Sequence, residues 1–280
     1  MLKYIINNDL IDQDKAVIGV FDTTLLRGYG IFDFFRLEGH IPLFIDDHLD
    51  RFYRSAEFLR LTPPLTKTQL KVKINEMLLI NQLENSGVRL LLTGGQSPNG
   101  FFPGNPTLIV INEPMSPPDK NQQNKGIKLV SLEYQRDLPE VKSINYLIGI
   151  YNWPKVLEAN AHDLLYVSNG FVSELTRSNF FIVNENDIII TPKTGILKGI
   201  NRMKLIELCH RKYSLEERPV SWEEVIHAKE AFITGTSKKI TPVIQIDCYI
   251  IANGKPGPIT RQLQKQYDQM IENYVKQHAN

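Results

Sequence analysis

The shortness of its apolar runs is what most limits the folds open to this chain. Residues 127–132, 163–167, 180–183 and 188–191 are apolar stretches too brief for buried helices, bounded by turn formers such as Asn184-Glu185-Asn186-Asp187. They read as strands. Residues 144–158, 201–210 and 259–277 instead carry helical spacing. The N-terminal part mixes the same two patterns, with strands expected over 16–20, 32–37, 88–93 and 107–112, a turn at Gly39-His40-Ile41-Pro42, and helices from Asp46 and over 70–81. In the first of those helices Leu49, Phe52, Tyr53, Ala56 and Leu59 share a face, and Asp46 or Asp47 can cap its start. From 113 to 126 prolines give way to polar residues with no apolar period, the mark of a linker. The pattern predicts a mixed α/β (α+β) chain: a small α/β domain over 1–118, a linker over 119–126 and a larger domain over 127–280.

Composition excludes several classes of function. With 280 residues, 42% of them hydrophobic, the chain can bury a large core, while a net charge of +1 provides no field to recruit nucleic acid or an anionic membrane. The run Tyr4-Ile5-Ile6 falls short of a signal peptide, and no segment reaches the ~18 apolar residues of a membrane span. Residence in the cytoplasm is expected. Cys209 and Cys248 lack zinc-like or Cys-x-x-Cys spacing and read as two reduced core thiols, and His40, His162, His210, His227 and His278 form no metal-ligand pattern.

Two segments carry the chemistry, Pro139-Glu140-Val141-Lys142-Ser143-Ile144-Asn145-Tyr146 and Glu174-Leu175-Thr176-Arg177-Ser178-Asn179-Phe180-Phe181. Singly, a lysine is usually a solvated charge and a glutamate its partner. Together they suit pyridoxal phosphate (PLP), because a lysine amine forms a Schiff base with an aldehyde and an acid beside a pyridine nitrogen keeps that nitrogen protonated. Gly199-Ile200-Asn201 opens a helix whose N-terminal amides and dipole can receive a phosphate. Gly235-Thr236-Ser237 offers two hydroxyls and nearby amides after the strand 231–234. A helix cap and an ordinary turn would have the same composition. Arg51, one turn after His48 on the first long helix, has the fork of donors that binds phosphate, or else pairs with Asp47 or Asp50; His48 reads as a supporting core histidine. Gly28-Tyr29-Gly30 lacks the third glycine of a dinucleotide fingerprint, and the loop from Gly94 lacks a Gly-Lys-Ser/Thr ending.

These motifs stand in the order found in the fold-type IV PLP enzymes, which the chain resembles over nearly its whole length: Arg27-Gly28-Tyr29-Gly30-Ile31-Phe32-Asp33, Asp47-His48-Leu49-Asp50-Arg51, the lysine and glutamate segments, Leu197-Lys198-Gly199-Ile200-Asn201-Arg202 and Gly235-Thr236-Ser237-Lys238-Lys239-Ile240-Thr241-Pro242. That family includes branched-chain aminotransferases, D-amino acid aminotransferases and aminodeoxychorismate lyases. The resemblance implies a small N-terminal α/β domain, a larger C-terminal pseudo-barrel with PLP between them, and a homodimer. It implies ping-pong transfer of an amino group from an amino acid to a 2-oxo acid, with Lys142 as the catalytic base. Arg51, Lys142, Tyr146, Glu174, Asn179, Gly199, Ile200, Asn201, Thr236 and Ser237 would hold the cofactor. Arg27, Tyr29, Asp33, Arg89 and Arg177 would face the substrate.

The chain departs from the family's pattern at Asn201, where threonine is usual, at Asp33, where glutamate is usual, and at Thr93-Gly94-Gly95, where D-amino acid enzymes usually carry an arginine. With Arg27, Arg89 and Arg177 in its place, the arrangement resembles an atypical D-amino acid transaminase subgroup. A D-amino acid such as D-glutamate or D-alanine is therefore the first expectation, a branched-chain L-amino acid the second, and the lyase reaction the third.

Overall fold

The structure is a computed structural model that describes residues 1–210 and 212–279. Its chain packing separates two units: Met1–Pro117 with Val141–Asn145 and the C-terminal residues from Val275, and Pro118–Glu140 with Tyr146–Tyr274.

The first unit contains β1 (Lys3–Ile6), β2 (Asp9–Asp12), α1 (Thr23–Arg27), β3 (Gly30–Glu38), β4 (Ile41–Pro42), α2 (Ile45–Phe58), α3 (Lys67–Asn81), β5 (Ser86–Thr93) and β6 (Leu108–Pro114). Its six-stranded antiparallel sheet runs β2-β1-β6-β5-β3-β4. β3 is rich in the aromatic and branched residues that favour a pleated surface, and alternation sends Ile31, Asp33, Phe35 and Leu37 to one face. There the apolar three join Leu49, Phe52 and Ala56 of α2 and Leu70, Ile74 and Met77 of α3 in a buried core. α3 opens with a capping box in which the Thr66 hydroxyl receives the Gln69 amide and the Gln69 side chain the Thr66 amide. The remaining edge of β3 is taken by residues 142–144. The Phe32 amide donates to the Lys142 carbonyl at 2.9 Å and the Ile144 amide to the Gly30 carbonyl at 3.2 Å, with Ile31 and Ser143 bridged between them.

The second unit contains α4 (Lys120–Lys125), β7 (Ile127–Glu133), α5 (Leu147–Tyr151), α6 (Trp153–Glu158), β8 (Asp163–Ser168), β9 (Phe171–Leu175), β10 (Asn179–Val183), β11 (Ile189–Thr191), α7 (Ile200–Cys209), β12 (Leu215–Glu217), β13 (Val220–Ser221), α8 (Trp222–Ile226), β14 (Glu230–Gly235), β15 (Lys239–Ile246), β16 (Tyr249–Ile250) and α9 (Pro258–His278). The sheet order is β12-β11-β10-β14-β15-β7-β8-β9-β13, and an added pairing of β9 with β10 closes β10-β14-β15-β7-β8-β9 into a ring. This is the pseudo-barrel. Its buried face carries Leu165, Leu175, Phe180, Ile182, Ala231, Ile233 and Val243. The closing contact pairs Asn179 with Glu174.

Four sequence expectations need correction. Residues 16–20 form no strand; among the described residues no strand pairs with them, and Val17 and Val20 are exposed. Cys209 is buried as expected, but Cys248 is exposed. The helix expected over 144–158 is two, α5 and α6, broken at Asn152 because Pro154 has no amide to donate to the Ile150 carbonyl one turn back. Within the polar stretch 119–126, Asp119 caps the short helix α4 by accepting the amides of Asn121 and Gln122. Among the described residues no helix is long and apolar enough to cross a membrane, and no three His, Cys, Asp or Glu side chains gather to hold a metal ion.

Candidate active site

In the first unit the sheet fixes the lysine through its backbone. Lys142 lies in the extended segment along the β3 edge, and the Ser55 hydroxyl of α2 accepts its amide at 3.3 Å. Its Nζ stands over the Phe32 ring, 4.3 Å from the centroid, where the face of the aromatic quadrupole favours a cation.

Arg51 turns to Asp33. Its Nε donates to Oδ2 at 2.8 Å and its Nη2 to Oδ1 at 2.7 Å. Asp33 was expected among the substrate contacts; it is fully buried beneath the sheet. Burial alone would raise its pKa, but the Arg51 and His48 beside it hold the carboxyl well below the usual carboxylate range. His48 Nδ1 lies 2.7 Å from Oδ1, and since a carboxylate only accepts, we assign the proton to Nδ1. Burial first, then the Arg51 and Lys142 charges, push the His48 pKa down against the pull of Asp33. The imidazole is neutral at pH 7 and the arginine is locked in one orientation.

In the second unit, period-2 alternation turns Glu174 away from the Leu175 core, beside Asn179 of β10 and, across the next pairing, Thr234 of β14. Glu174 is buried; its Oε1 accepts Arg136 Nε at 2.7 Å and its Oε2 the Leu197 amide at 3.0 Å. Asn179 Nδ2 donates to the Leu197 carbonyl at 2.8 Å. The segment leading into α7 thus lies directly over the acid.

Two glycines hold close approaches here. A Cβ on Gly199 would fall 2.1 Å from Asn179 Oδ1, and one on Gly235 would fall 2.9 Å from Ser178 Oγ. Gly199 is the cap of α7 with no side chain accepting its first amides, and Asn201 reaches back to donate to the Gly235 carbonyl at 3.0 Å. This ties the two candidate phosphate segments together. Thr236 is half-buried and Ser237 exposed at the tip of the β14–β15 turn, while the buried hydroxyls of Ser178 and Thr234 have no hydrogen-bond partner among the described residues. A buried donor left this way is costly unless a ligand meets it, so this side of the pseudo-barrel suits a bound oxyanion.

The candidate substrate residues divide between the units. Arg27 is exposed at the end of α1, its Nη1 donating to the Leu26 carbonyl at 2.8 Å. Tyr29 donates its hydroxyl to the Leu59 carbonyl. Arg89 pairs with Glu113 on β6 and lies over the Phe34 ring, 5.1 Å from its centroid, on the same sheet face as Phe32. In the second unit Arg177 is exposed at a groove of about 570 Å³ lined by Tyr146, Ile150, Trp153, Pro154 and Leu157. Sequence reasoning missed Arg136, Ser55 and Ser178, and nothing local marks them. Arg136 meets Glu174 across 38 residues of chain, a contact the fold alone creates.

The chain is similar to known proteins over most of its length. A sequence model of the family described as amino-transferase class IV matches residues 30–246. The D-alanine aminotransferase of Bacillus licheniformis is 31% identical over 269 residues, covering 94% of this chain and 95% of its own. A putative branched-chain-amino-acid aminotransferase of Methanocaldococcus jannaschii is 35% identical over 282 residues, with 95% of each covered. Among solved structures, the Escherichia coli branched-chain amino acid aminotransferase superposes with a TM-score of 0.89 at 22% identity over 96% of this chain and 94% of its own, a likeness of fold. A putative 4-amino-4-deoxychorismate lyase of Legionella pneumophila gives a TM-score of 0.83 at 26% identity over 92% and 97%.

Proposed function

Because the chain belongs to the class IV amino-transferases and is an enzyme of that family, we propose that it moves the amino group of a D-amino acid to a 2-oxo acid with pyridoxal phosphate as cofactor. The observation that carries the substrate reading is Arg177, an exposed guanidinium with no ion-pair partner among the described residues, at the groove shared with Tyr146. Such a fork binds a carboxylate through charge-assisted hydrogen bonds. Arg27 and Arg89 are two further candidate cations, in the first unit, Arg89 paired with Glu113.

When bound, PLP supplies an aldehyde that condenses with amines and a ring that accepts an electron pair from the substrate's Cα. The chain's residues do the rest. Lys142 would hold the cofactor through its amine and, as a free base, would move the proton taken from the substrate's Cα. Glu174, buried against Arg136 and the Leu197 amide, would hold the proton on the ring nitrogen. The α7 amides at Gly199–Asn201, the turn hydroxyls of Thr236 and Ser237, and the Ser178 hydroxyl would hold the phosphate. Arg51 contributes positive charge in the orientation that Asp33 and His48 impose. The working enzyme in this reading is a homodimer, supported by the exposed apolar side chains Leu147, Ile150 and Tyr151 on α5.

A second reading, transamination of branched-chain L-amino acids, is favoured by the apolar lining of the same groove, Ile150, Trp153 and Leu157. Mixing holo-protein with D- and L-amino acids and following conversion to the pyridoxamine form separates the two. D-Glutamate and D-alanine should convert it, and Arg177→Ala should weaken D-glutamate about tenfold or more while sparing PLP. Turnover of L-leucine or L-valine with D-substrates inert and Arg177→Ala unaffected would leave the branched-chain reading standing.

A further inference from the structure

Five strand ends meet at one rim of the pseudo-barrel. The antiparallel registers set the start of β8, the end of β9, the start of β10, the end of β14 and the start of β15 side by side. Two short turns leave this rim. Thr176-Arg177-Ser178 joins β9 to β10, with the Leu175 amide donating to the Ser178 carbonyl at 2.8 Å. Thr236-Ser237-Lys238 joins β14 to β15, and Lys239 after it holds a left-handed φ of +50°, a conformation unfavourable for a non-glycine residue. The surroundings impose it: the Lys238 amide donates to the Gly235 carbonyl at 3.2 Å, the Thr241 hydroxyl to the Lys238 carbonyl at 2.9 Å, and Lys239 pairs with Asp268 at 3.0 Å.

Asp163, fully buried as the first residue of β8, touches both turns. Its Oδ2 accepts Lys238 Nζ at 2.7 Å, and its Oδ1 accepts the Leu164 amide at 2.9 Å and the Thr176 hydroxyl. A fully buried carboxylate is a poor device for stability, since its desolvation offsets most of what its partner returns. It is a good device for geometry. With every bond directed, it fixes where two turns stand with respect to each other.

We propose that Asp163 is a positioning residue that, through Lys238 and Thr176, locks the phosphate-receiving turn to the turn that carries Arg177, so that cofactor phosphate and substrate carboxylate are held by one rigid piece. The proposal rests on the assignment of the 235–237 turn to phosphate. It requires Lys238 to act through Asp163, with its ammonium directed at the carboxylate.

The test titrates apoprotein with PLP and with pyridoxal, which lacks the phosphate, by quenching of intrinsic fluorescence. Lys238→Met should raise the dissociation constant for PLP about tenfold while that for pyridoxal moves less than about twofold. The double variant Asp163→Asn/Lys238→Met has no unpaired buried charge and should melt close to wild type, yet it should show the same loss of preference for PLP. Reconstituted at saturating PLP, both variants should show a raised KM for the amino donor with kcat nearly unchanged. Parallel weakening of both ligands, or of neither, would reduce the pair to a stability element and overturn the proposal while leaving the cofactor reading intact. Wild-type apoprotein that bound PLP and pyridoxal equally would remove the phosphate site itself, and the proposal with it.

Discussion

At the scale of single residues, what the site needs is a proton held in place at the acid and withheld at the histidine. Glu174→Gln keeps the shape that Arg136 and the Leu197 amide expect but cannot hold a pyridinium proton. Bound cofactor should persist, and the rate of the first half-reaction should fall roughly ten- to a hundredfold, the worth of ~1.5–3 kcal/mol in a dry site; unchanged single-turnover kinetics would make Glu174 merely structural. His48 has the opposite task. Its folded-state pKa lies below the ordinary 6.5, so the unfolded chain binds more protons between the two values. Its contribution is full above pH ~6.5 and is lost as the pH falls below it, at up to ~1.4 kcal/mol per unit. His48→Asn should flatten that part of the curve in urea midpoints taken from pH 7.5 to 5; an unchanged slope would mean another group titrates there. Lys142 and Glu174 stood out in the sequence as candidates because their chemistry is intrinsic to the residue type, whereas Asp33, expected at the substrate, is buried. That Arg51 would spend its fork on Asp33, 18 residues away, or that Arg136 would meet Glu174, was not legible there, because such pairs depend on which strands become neighbours.

At the scale of elements, backbone approach carries the argument. Gly199→Ala keeps an allowed backbone, with φ −65° and ψ 140°, but its methyl would collide with the Asn179 amide oxygen. Asn179 must swing away from the Leu197 carbonyl, at an expected loss of ~1–3 kcal/mol read from the urea midpoint. Asn179→Ala in the same chain should cost less than the two single changes added; strict additivity would refute the contact as the cause. The long amphipathic helices and the β3, β5 and β6 strands were readable because each has a strong period of its own. The β1–β2 hairpin was missed because its apolar run is short and Asn7, at φ +55°, supplies the turn without a glycine. Residues 16–20 have a strand's composition and no partner to make one, since composition cannot announce that a neighbour is missing.

For the whole molecule, cofactor and partner should both appear in solution behaviour. PLP at a hundred times its dissociation constant should add ~2.7 kcal/mol to unfolding, so stripping it should lower the melting temperature and returning it should restore it. Sedimentation should show twice the chain mass of 32.1 kDa, and Ile150→Asp with Tyr151→Asp should halve it; a wild-type monomer with full activity would refute the dimer. The edge strand at residues 142–144 has a consequence for synthesis and dissection alike. A fragment ended at Pro117, after the last strand of the first sheet, would leave Gly30–Phe32 without the amide and carbonyl they meet in the intact chain. Bare edges of this kind recruit strands from other molecules. On the ribosome, the N-terminal half stays unfinished and adhesive until residue 145 has emerged, and the segment that completes its sheet is the one bearing Lys142.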